Sequence, residues 1–313
     1  MEPLGRSRVR TPAIVLAAGV VLACAGCSAD APVRPAASAS PAVTAPLPAE
    51  ISVEVHQARA ELAARIVRVR VTNGGDDDLV VRSVELTGGG WATAATSDGP
   101  EEAPPGWTAD VPVHLGTPAC GSSADEPVVV AIELAHATPP DATPGTSTEE
   151  PVVVHLVTDP DDPHGVLARA RDEDCAGAAI AAGARVSLDA DLEVVEAPEG
   201  LRVRMTLRLA PVPGGPRVDV DAVDGTTLLT PVGDPQWHPG LTSATGQPVS
   251  AVLEATAARC DPHAVAEDKR GGYLPLRARV DGVEQTVTYV PLPETARAAL
   301  HEFVARACGW PPD

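Results

Sequence analysis

The segment Arg65-Ile-Val-Arg-Val-Arg-Val-Thr72 decides the fold class, because every second side chain in it is apolar. In an extended chain Val67, Val69 and Val71 lie on one face, and the arginines between them lie on the other. A period of two is typical of a half-buried β-strand. The turn-forming run Asn73-Gly74-Gly75 follows directly. The segment therefore predicts a strand with one face towards a core and the other towards solvent.

A second stretch of the same kind, Leu201-Arg-Val-Arg-Met-Thr-Leu-Arg-Leu209, lies in the second half of the chain. The signals around the two stretches also follow one order: short apolar runs, a Pro-Gly element, a cysteine, two further apolar runs, and a helical stretch that closes on another cysteine. The matching landmarks are Pro105-Gly106 and Pro239-Gly240, Cys120 and Cys260, and Cys175 and Cys308. We interpret this order as a duplication.

The predicted fold class is all-β with short helices. We expect two tandem antiparallel β-sandwich domains of Ig-like architecture, because several short strands with Pro and Gly turns fit that plan. Each domain would end in a helix held by a disulfide. The clearer of the two helices follows Pro293, and its predicted apolar face comprises Ala296, Leu300, Phe303, Val304 and Ala307.

The predicted organisation has five parts along the chain. These are a signal peptide at 1–26, a disordered Pro/Ala-rich tether at 27–49, a first β-sandwich domain at 50–175, a linker at 176–185 and a second domain at 186–313. The linker is rich in Ala and Gly, which is compatible both with a hinge and with a rigid continuation of a helix.

The N-terminus has the pattern of a secretory signal. Arg6, Arg8 and Arg10 precede an uncharged run from Thr11 to Ala23, which is shorter than a membrane-spanning helix of about 20 residues. The run ends in small residues around two cysteines, Cys24-Ala25-Gly26-Cys27. The chain is therefore expected to be exported.

These last residues resemble the lipobox of bacterial lipoproteins, in which a cysteine after small residues receives diacylglycerol and becomes the mature N-terminus. The resemblance implies lipidation of Cys27, membrane lipid as a partner, and a location at the extracytoplasmic face of the cell membrane. Cys24 stands where the pattern usually has Leu, and Cys24 is itself the alternative lipidation site. Cleavage by an ordinary signal peptidase, without a lipid, is a further alternative.

The remaining four cysteines are predicted to form disulfides, since an even set in an exported chain usually pairs. Of the three possible pairings, the duplication selects the one within each half: Cys120 with Cys175, and Cys260 with Cys308. Zinc binding is the rival interpretation, but the chain has no C-x-x-C motif and no matching Cys/His spacing. We therefore expect no metal.

The charge makes nucleic acid a poor partner. The formal charge is −20, and because the leader carries three arginines against one glutamate, its removal takes the charge to −22. Such a chain repels phosphate backbones. The acidic runs Asp76–Asp78 and Asp159–Asp162 lack the spacing of a calcium loop, so solvated turns are the favoured interpretation and calcium binding the alternative.

The sequence contains no recognisable catalytic motif. G-x-S-x-G, H-E-x-x-H, S-x-x-K and phosphate-binding Gly-rich patterns are all missing, so we expect a protein that is not an enzyme and needs no cofactor. Trp91, Trp107 and Trp237 fall in predicted loops, where an exposed Trp often binds proteins or sugars. Burial in a core is the favoured interpretation for each of them, and binding is the alternative.

The lipobox, the Arg-over-Lys and Ala/Pro-rich composition and the two cysteine-closed β halves together resemble exported lipoproteins of actinobacteria that carry no assigned activity. The favoured function is a non-catalytic binding or scaffolding module of the cell envelope, with an envelope protein as a possible partner. An accessory or sensory subunit of a membrane complex is the alternative, and an enzyme is the third class.

Overall fold

The computed structural model describes residues 43–97, 99–121, 126–136, 153–263, 270 and 272–310. The predicted signal peptide, the candidate lipidation residues Cys24 and Cys27 and the tether up to residue 42 lie outside these residues. The described part is mostly β-strand, and its sheets pack in a sandwich-like manner around two hydrophobic cores. This confirms the β-rich class that the alternating segments predict.

The N-terminal half forms one continuous hydrogen-bonded ladder. Its strands are β1 (Val43–Pro46), β2 (Ile51–His56), β3 (Ile66–Asn73), β4 (Leu79–Thr87), β5 (Ala95–Ser97), β6 (Glu101–Ala103), β7 (Thr108–His114), β8 (Val129–His136) and β9 (Val153–Thr158). They pair in the order β1-β9-β8-β4-β5-β7-β3-β2, with β6 also on β4. The short strand β5 is hydrogen-bonded to β4 on one side and to β7 on the other. It thereby joins two layers of the ladder, which share one core.

Strand β3 is the alternating segment from which the fold was predicted. It lies inside its layer, between β2 and β7. Val67, Val69 and Val71 are fully buried and belong to the same core as Ile132 of β8. Each buried valine contributes about 1.5–3 kcal/mol of hydrophobic stabilisation relative to an exposed one. The predicted inward face is confirmed.

The chain joins this sheet earlier than predicted. β1 runs parallel to β9, with Val43 opposite Val153. The Nδ1 atom of His155 in β9 donates a hydrogen bond to the carbonyl oxygen of Pro46 at 2.9 Å. The prediction of a disordered tether as far as residue 49 is therefore wrong at its C-terminal end. Backbone hydrogen bonds to an edge strand suffice to order a short segment without apolar periodicity.

The C-terminal half contains two sheets. Its strands are β10 (Ala184–Leu188), β11 (Glu193–Ala197), β12 (Gly200–Pro211), β13 (Val218–Asp224), β14 (Leu229–Pro231), β15 (Gln236–Trp237), β16 (Leu241–Thr242), β17 (Val249–Ala257), β18 (Tyr273–Val280), β19 (Val283–Glu284) and β20 (Thr288–Pro291). One sheet has the order β10-β12-β17-β14 with β11 on β12, and the other has β15-β13-β18-β19 with β16 on β13 and β20 on β18.

The second alternating stretch is β12, which pairs with β10, β11 and β17. Its inward residues share a core with Leu274 and Leu276 from β18 in the other sheet. The inward residues are Val203, Met205, Leu207 and Leu209, each exposed by 1% or less. The alternation thus has the same outcome in both halves.

A single helix, α1 (Val166–Gly183), connects the two halves. Leu167 near its start belongs to the N-terminal core, and Ile180 near its end belongs to the C-terminal core. Strand β10 begins at Ala184, directly after the helix. Of the two alternatives for the predicted linker at 176–185, the helical continuation is therefore correct and the hinge is wrong, and the last two residues already belong to β10. Alanine favours a helix, but it gives little apolar periodicity from which to recognise one.

The second helix, α2 (Glu294–Ala307), matches the predicted helical stretch. Its buried residues are Ala296, Leu300, Phe303 and Val304, which confirms the predicted face. Among the described helices, none combines the length and apolarity that crossing a membrane requires.

Two disulfides link cysteines within the halves. Cys120 is bonded to Cys175 in α1, and Cys260 is bonded to Cys308 at the end of α2. Both predicted pairings are confirmed. A cross-link over 48–55 residues stabilises a fold by about 2–4 kcal/mol, chiefly by restricting the unfolded chain.

We expect the double substitution Cys260→Ala/Cys308→Ala to lower the free energy of unfolding of the C-terminal half by about 2–4 kcal/mol. The loss should be local, because the N-terminal core keeps its own disulfide. Native-state hydrogen exchange of the full chain measures both parts: amides of β12 and β18 should exchange faster, while those of β3 and β7 should not. Equal loss of protection in β3 would contradict this expectation.

Candidate functional site

The side chain of Asn73, which is only 1% exposed, ties together the loops at one end of the N-terminal half. Its Nδ2 atom donates to the carbonyl oxygens of Ala103 (2.7 Å) and Asp77 (2.9 Å). Its Oδ1 atom accepts from the backbone N–H of Gly75 at 3.0 Å. A buried amide requires such partners, because leaving them unmade has a high free-energy cost. Asn73 therefore fixes the acidic turn that follows β3.

The backbone of Asn73 holds a second turn, Pro104–Trp107. Asn73 donates its N–H to the carbonyl oxygen of Trp107 at 2.9 Å and accepts from the N–H of Gly106 at 2.8 Å. Pro105 in the second position and Gly106, with a φ of +72°, in the third are typical of a type II turn. Both turns are thus anchored on one residue.

A cavity of about 440 Å³ opens at this end of the N-terminal half, where β2, β4 and β9 begin and β3 and β8 end. We name it the strand-end cavity. It is lined by Pro48, Glu50, Ile51, Asn73, Gly75, Asp76, Asp77, Leu79, Arg82, Leu134, Ala135, His136, Val153 and His155. Small-molecule sites in proteins typically measure about 300–1,000 Å³, so the cavity has the size of a ligand site.

The apolar part of the lining comes from both layers of the sheet. It comprises Ile51 of β2, Leu79 of β4, Leu134 of β8 and Val153 of β9. Ile51 and Leu134 are only 6% and 9% exposed, so they also belong to the N-terminal core. The apolar lining is therefore held rigidly by strands rather than by loops.

Three exposed carboxylates, those of Glu50, Asp76 and Asp77, line the same cavity. Within the residues that the structure describes, no arginine or histidine nitrogen lies within 4.0 Å of them. The carbonyl oxygen of Glu50 accepts from the N–H of Gly74 at 2.9 Å, and a Cβ at Gly74 would lie only 2.7 Å from that oxygen. Glycine thus permits the close approach that positions Glu50.

The basic side chains in the lining are already engaged or stand apart from these acids. Arg82 lies 3.5 Å from the carboxylate of Glu133. His155 is buried and bonded to Pro46, as expected for a histidine within an apolar strand. His136 is exposed. The cavity therefore keeps an excess of negative charge.

Of the three predicted binding tryptophans, only Trp107 is on the surface, where it is 68% exposed. Trp91 and Trp237 are each 8% exposed, so the favoured interpretation, burial in a core, is correct for both, and the binding alternative is wrong. The indole of Trp237 donates to the carbonyl oxygen of Glu254 at 2.7 Å, and the ring of Trp91 lies 5.8 Å from the guanidinium of Arg65. Both rings pack in the cores, because a large apolar ring gains more there than in a solvated loop.

A second cavity of about 250 Å³ lies beside α1, where the two halves meet. Arg65 from the N-terminal half pairs with Asp174 of the helix. Arg270 from the C-terminal half pairs with Glu173 at 3.2 Å and stacks over Tyr289 at 3.8 Å. Burial raises the pKa of Asp174, although Arg65 acts in the opposite direction. Because these charges satisfy one another, the cavity offers a ligand little to bind.

The acidic run before α1 has a structural role. The carboxylate of Asp162 accepts from the backbone N–H groups of Val166 (2.8 Å) and Leu167 (3.0 Å), where a helix start favours negative charge. The carboxylate of Asp159 accepts from the N–H of Val128 at 3.2 Å. In the described ranges no group of three or more His, Cys, Asp or Glu side chains lies close enough to hold a metal ion.

Asp110 forms a charge cluster on the outer face of the N-terminal sheet. Arg70 donates to it at 2.9 Å, and the Nε2 atom of His56 lies 3.0 Å from the same oxygen. Partial burial opposes ionisation of Asp110, but the hydrogen bonds from Arg70 and His56 outweigh it and lower the pKa of the carboxyl. The cluster gives an outward-facing arginine of β3 a carboxylate partner, while the valines between the arginines face the core.

No protein-family model matches this sequence, and no curated protein does either. Among solved structures, the chain is similar to a red sea bream transglutaminase at 13% identity, with 79% of this chain and 32% of that one covered and a TM-score of 0.21. A Porphyromonas gingivalis W83 protein of unknown function matches at 15% identity, covering 78% and 100%, with a TM-score of 0.19. The D0-D1 domain of intimin matches at 14%, covering 78% and 95%, with a TM-score of 0.17.

The chain thus spans about a third of the transglutaminase's length. All three TM-scores lie far below 0.5.

Sequence reasoning identified parts of the site but not the cavity. It singled out Trp107 and the acidic run Asp76–Asp78, each interpreted by itself. The turn signals Asn73-Gly74-Gly75 and Pro105-Gly106 were the available clue, since two turns on adjacent strands can share an end of a sandwich. Nothing in the sequence indicates that Asn73 joins them.

We expect Asn73→Ala to lower the free energy of unfolding by about 2 kcal/mol, because it leaves buried backbone groups without partners. Urea denaturation measures the loss. Thr72→Ala is the control: the hydroxyl of Thr72 bonds only to that of Thr108 at the surface, so its effect should stay within about 0.5 kcal/mol. Equal effects of the two substitutions would contradict the role given to Asn73.

We expect the contribution of Asp110 to stability to depend on pH. Because its pKa is lowered in the folded protein, ionised Asp110 stabilises the fold above its ordinary value of 3.8, and this stabilisation is lost as the pH falls through the lower folded value. The difference in Tm between the natural chain and Asp110→Asn should therefore narrow from about pH 6 to about pH 3. Thermal unfolding measures it, with the exposed Asp191→Asn as control. A constant difference would refute the pH dependence.

Proposed function

We propose that this chain is an extracytoplasmic binding protein, anchored in the cell membrane by a lipid on Cys27, that acts without catalysis. Its ligand site is the strand-end cavity. The observation that carries the proposal is the cavity itself: a space of about 440 Å³ that combines a rigid apolar lining with unpaired polar groups. This combination is typical of sites that bind small molecules or single side chains of a partner.

Trp107 supports the same site. Its turn is anchored on Asn73, which also lines the cavity, and its ring is largely exposed to solvent. An exposed Trp on a fixed turn supplies a large contact surface with little loss of conformational freedom on binding. The ring therefore offers a partner a second contact surface, on a turn that Asn73 anchors.

The anchor is supported by the lipobox and by the position of β1. Residues 28–42 separate Cys27 from the first described strand. At about 3.1 Å per residue, the rise of an extended Pro-rich chain, fifteen residues would span about 47 Å. A spacer of this length would let the β halves stand clear of the lipid headgroups while the site stays close to the membrane.

We further propose that the halves are tandem Ig-like domains, each with a disulfide-stapled helix at its C-terminal end. Support comes from the two separate cores and from the two disulfides, each of which joins a loop to a helix. In this arrangement α1 closes the first domain and leads directly into the second, so the domains are coupled by a helix rather than by a hinge.

The anchor is tested by mass spectrometry of protein extracted from membranes. We expect an N-terminal diacylated Cys27, and we expect Cys27→Ala to leave the chain unlipidated while Cys24→Ala does not. Lipid on Cys24, or unmodified mature chain in the medium, would contradict the assignment. Stoichiometric copurification with a membrane protein would instead favour an accessory subunit.

The site is tested by photo-crosslinking in living cells. A benzophenone amino acid in place of Trp107 should capture a ligand or partner, because it keeps an aromatic ring on the same turn. The matched control is the same substitution at Val283, which is 64% exposed in the C-terminal half. Equal adducts at the two positions, or none at Trp107, would count against the site.

A further inference from the structure

The acids of the strand-end cavity lack the arginine partner that several other carboxylates of the chain have. Asp110, Glu173 and Asp174 each hold an arginine. In the C-terminal half, the arginines of the sheets are likewise paired, with Asp189, Asp221 and Asp224. Glu50, Asp76 and Asp77 have no such partner among the described residues. Their charges are available to a bound molecule.

From this difference we propose that the ligand of the strand-end cavity is an organic cation, an ammonium or guanidinium group carried on an apolar body. The inference rests on the proposed function, since it names the chemical class that the same site takes. The cation would lie beside carboxylates of the lining, and the apolar body would cover Ile51 and Leu134. Each part of the ligand thus meets a matching part of the lining.

The carboxylates are held in place by their backbones. Glu50 is fixed by the hydrogen bond from Gly74, and a Cβ at Gly75 would lie 3.2 Å from the Cγ atom of Glu50. Asp77 is fixed by the hydrogen bond that its carbonyl oxygen accepts from Asn73. Carboxylates on anchored turns lose less conformational freedom on binding than acids on mobile loops. Glu50 and Asp77 therefore present their negative charge from anchored backbone positions.

The apolar lining distinguishes an organic cation from a metal ion. A bare metal ion needs several oxygens converging on one point and would leave the apolar lining unused. An ammonium or guanidinium on an apolar body uses both the carboxylates and the apolar lining. An anionic ligand would meet the negative charge of three carboxylates, with Arg82 already engaged by Glu133.

The test compares three probes that share one apolar body: cyclohexylmethylammonium, cyclohexylmethanol and cyclohexanecarboxylate. Methyl resonances of Ile51 and Leu134 in the full mature chain report binding at the cavity by NMR titration. We expect the ammonium probe to bind most tightly and the carboxylate least. Raising the salt to about 0.5 M should lower the affinity of the ammonium probe but not that of the alcohol, because the interaction of exposed charges is screened.

Two charge-matched variants separate a local effect from the overall charge. The triple variant Glu50→Gln/Asp76→Asn/Asp77→Asn should bind the ammonium probe about tenfold more weakly, while its affinity for the alcohol stays unchanged. The control, Asp191→Asn/Glu196→Gln/Glu284→Gln, removes three exposed acids from the C-terminal half and should have little effect.

The outcomes are distinct for the two proposals. Equal affinity of the three probes, or equal weakening by the two variants, would overturn the organic cation and leave the cavity as the binding site. Failure of every probe to shift Ile51 or Leu134 would overturn the cavity as a site, and with it the proposed function.

Discussion

The buried amide of Asn73 is the interaction on which the proposed binding end of the molecule depends. It joins the acidic turn after β3 to the end of β6, while its backbone holds the turn that carries Trp107. Because a buried amide tolerates few arrangements, the two turns are fixed relative to each other and to the strand ends. The cavity between those strand ends is therefore a property of the folded sheet, present before any ligand arrives.

Charge is distributed unevenly between the outer faces of the sheets and the strand-end cavity. On the outer faces, arginines that alternate with buried residues lie against carboxylates, as Arg70 does with Asp110 and Arg208 with Asp189. Such exposed pairs contribute little stability, about 0–1 kcal/mol each, but they leave few cations free. A chain with a formal charge of −20 then keeps acids that no arginine pairs with, and the strand-end cavity holds some of them.

The sequence predicted what depends on local pattern and on the duplication. The alternation of Val67, Val69 and Val71 predicted β3, and the repeated cysteine order predicted both disulfides. It did not predict what depends on tertiary contact. The cavity assembles residues as distant along the chain as Ile51 and Val153, and the burial of Trp91 and Trp237 depends on neighbours that no local pattern reveals. Likewise, β1 is ordered by its pairing with β9, and the alanines of α1 conceal its length.

A crystallographic fragment screen of the mature chain tests the central claim most directly. If the strand-end cavity is the binding site, small apolar amines will appear in it, between Ile51 and Leu134, in preference to the cavity beside α1. Fragments that gather beside α1, or on the surface of the C-terminal half, while the strand-end cavity stays empty would contradict the account.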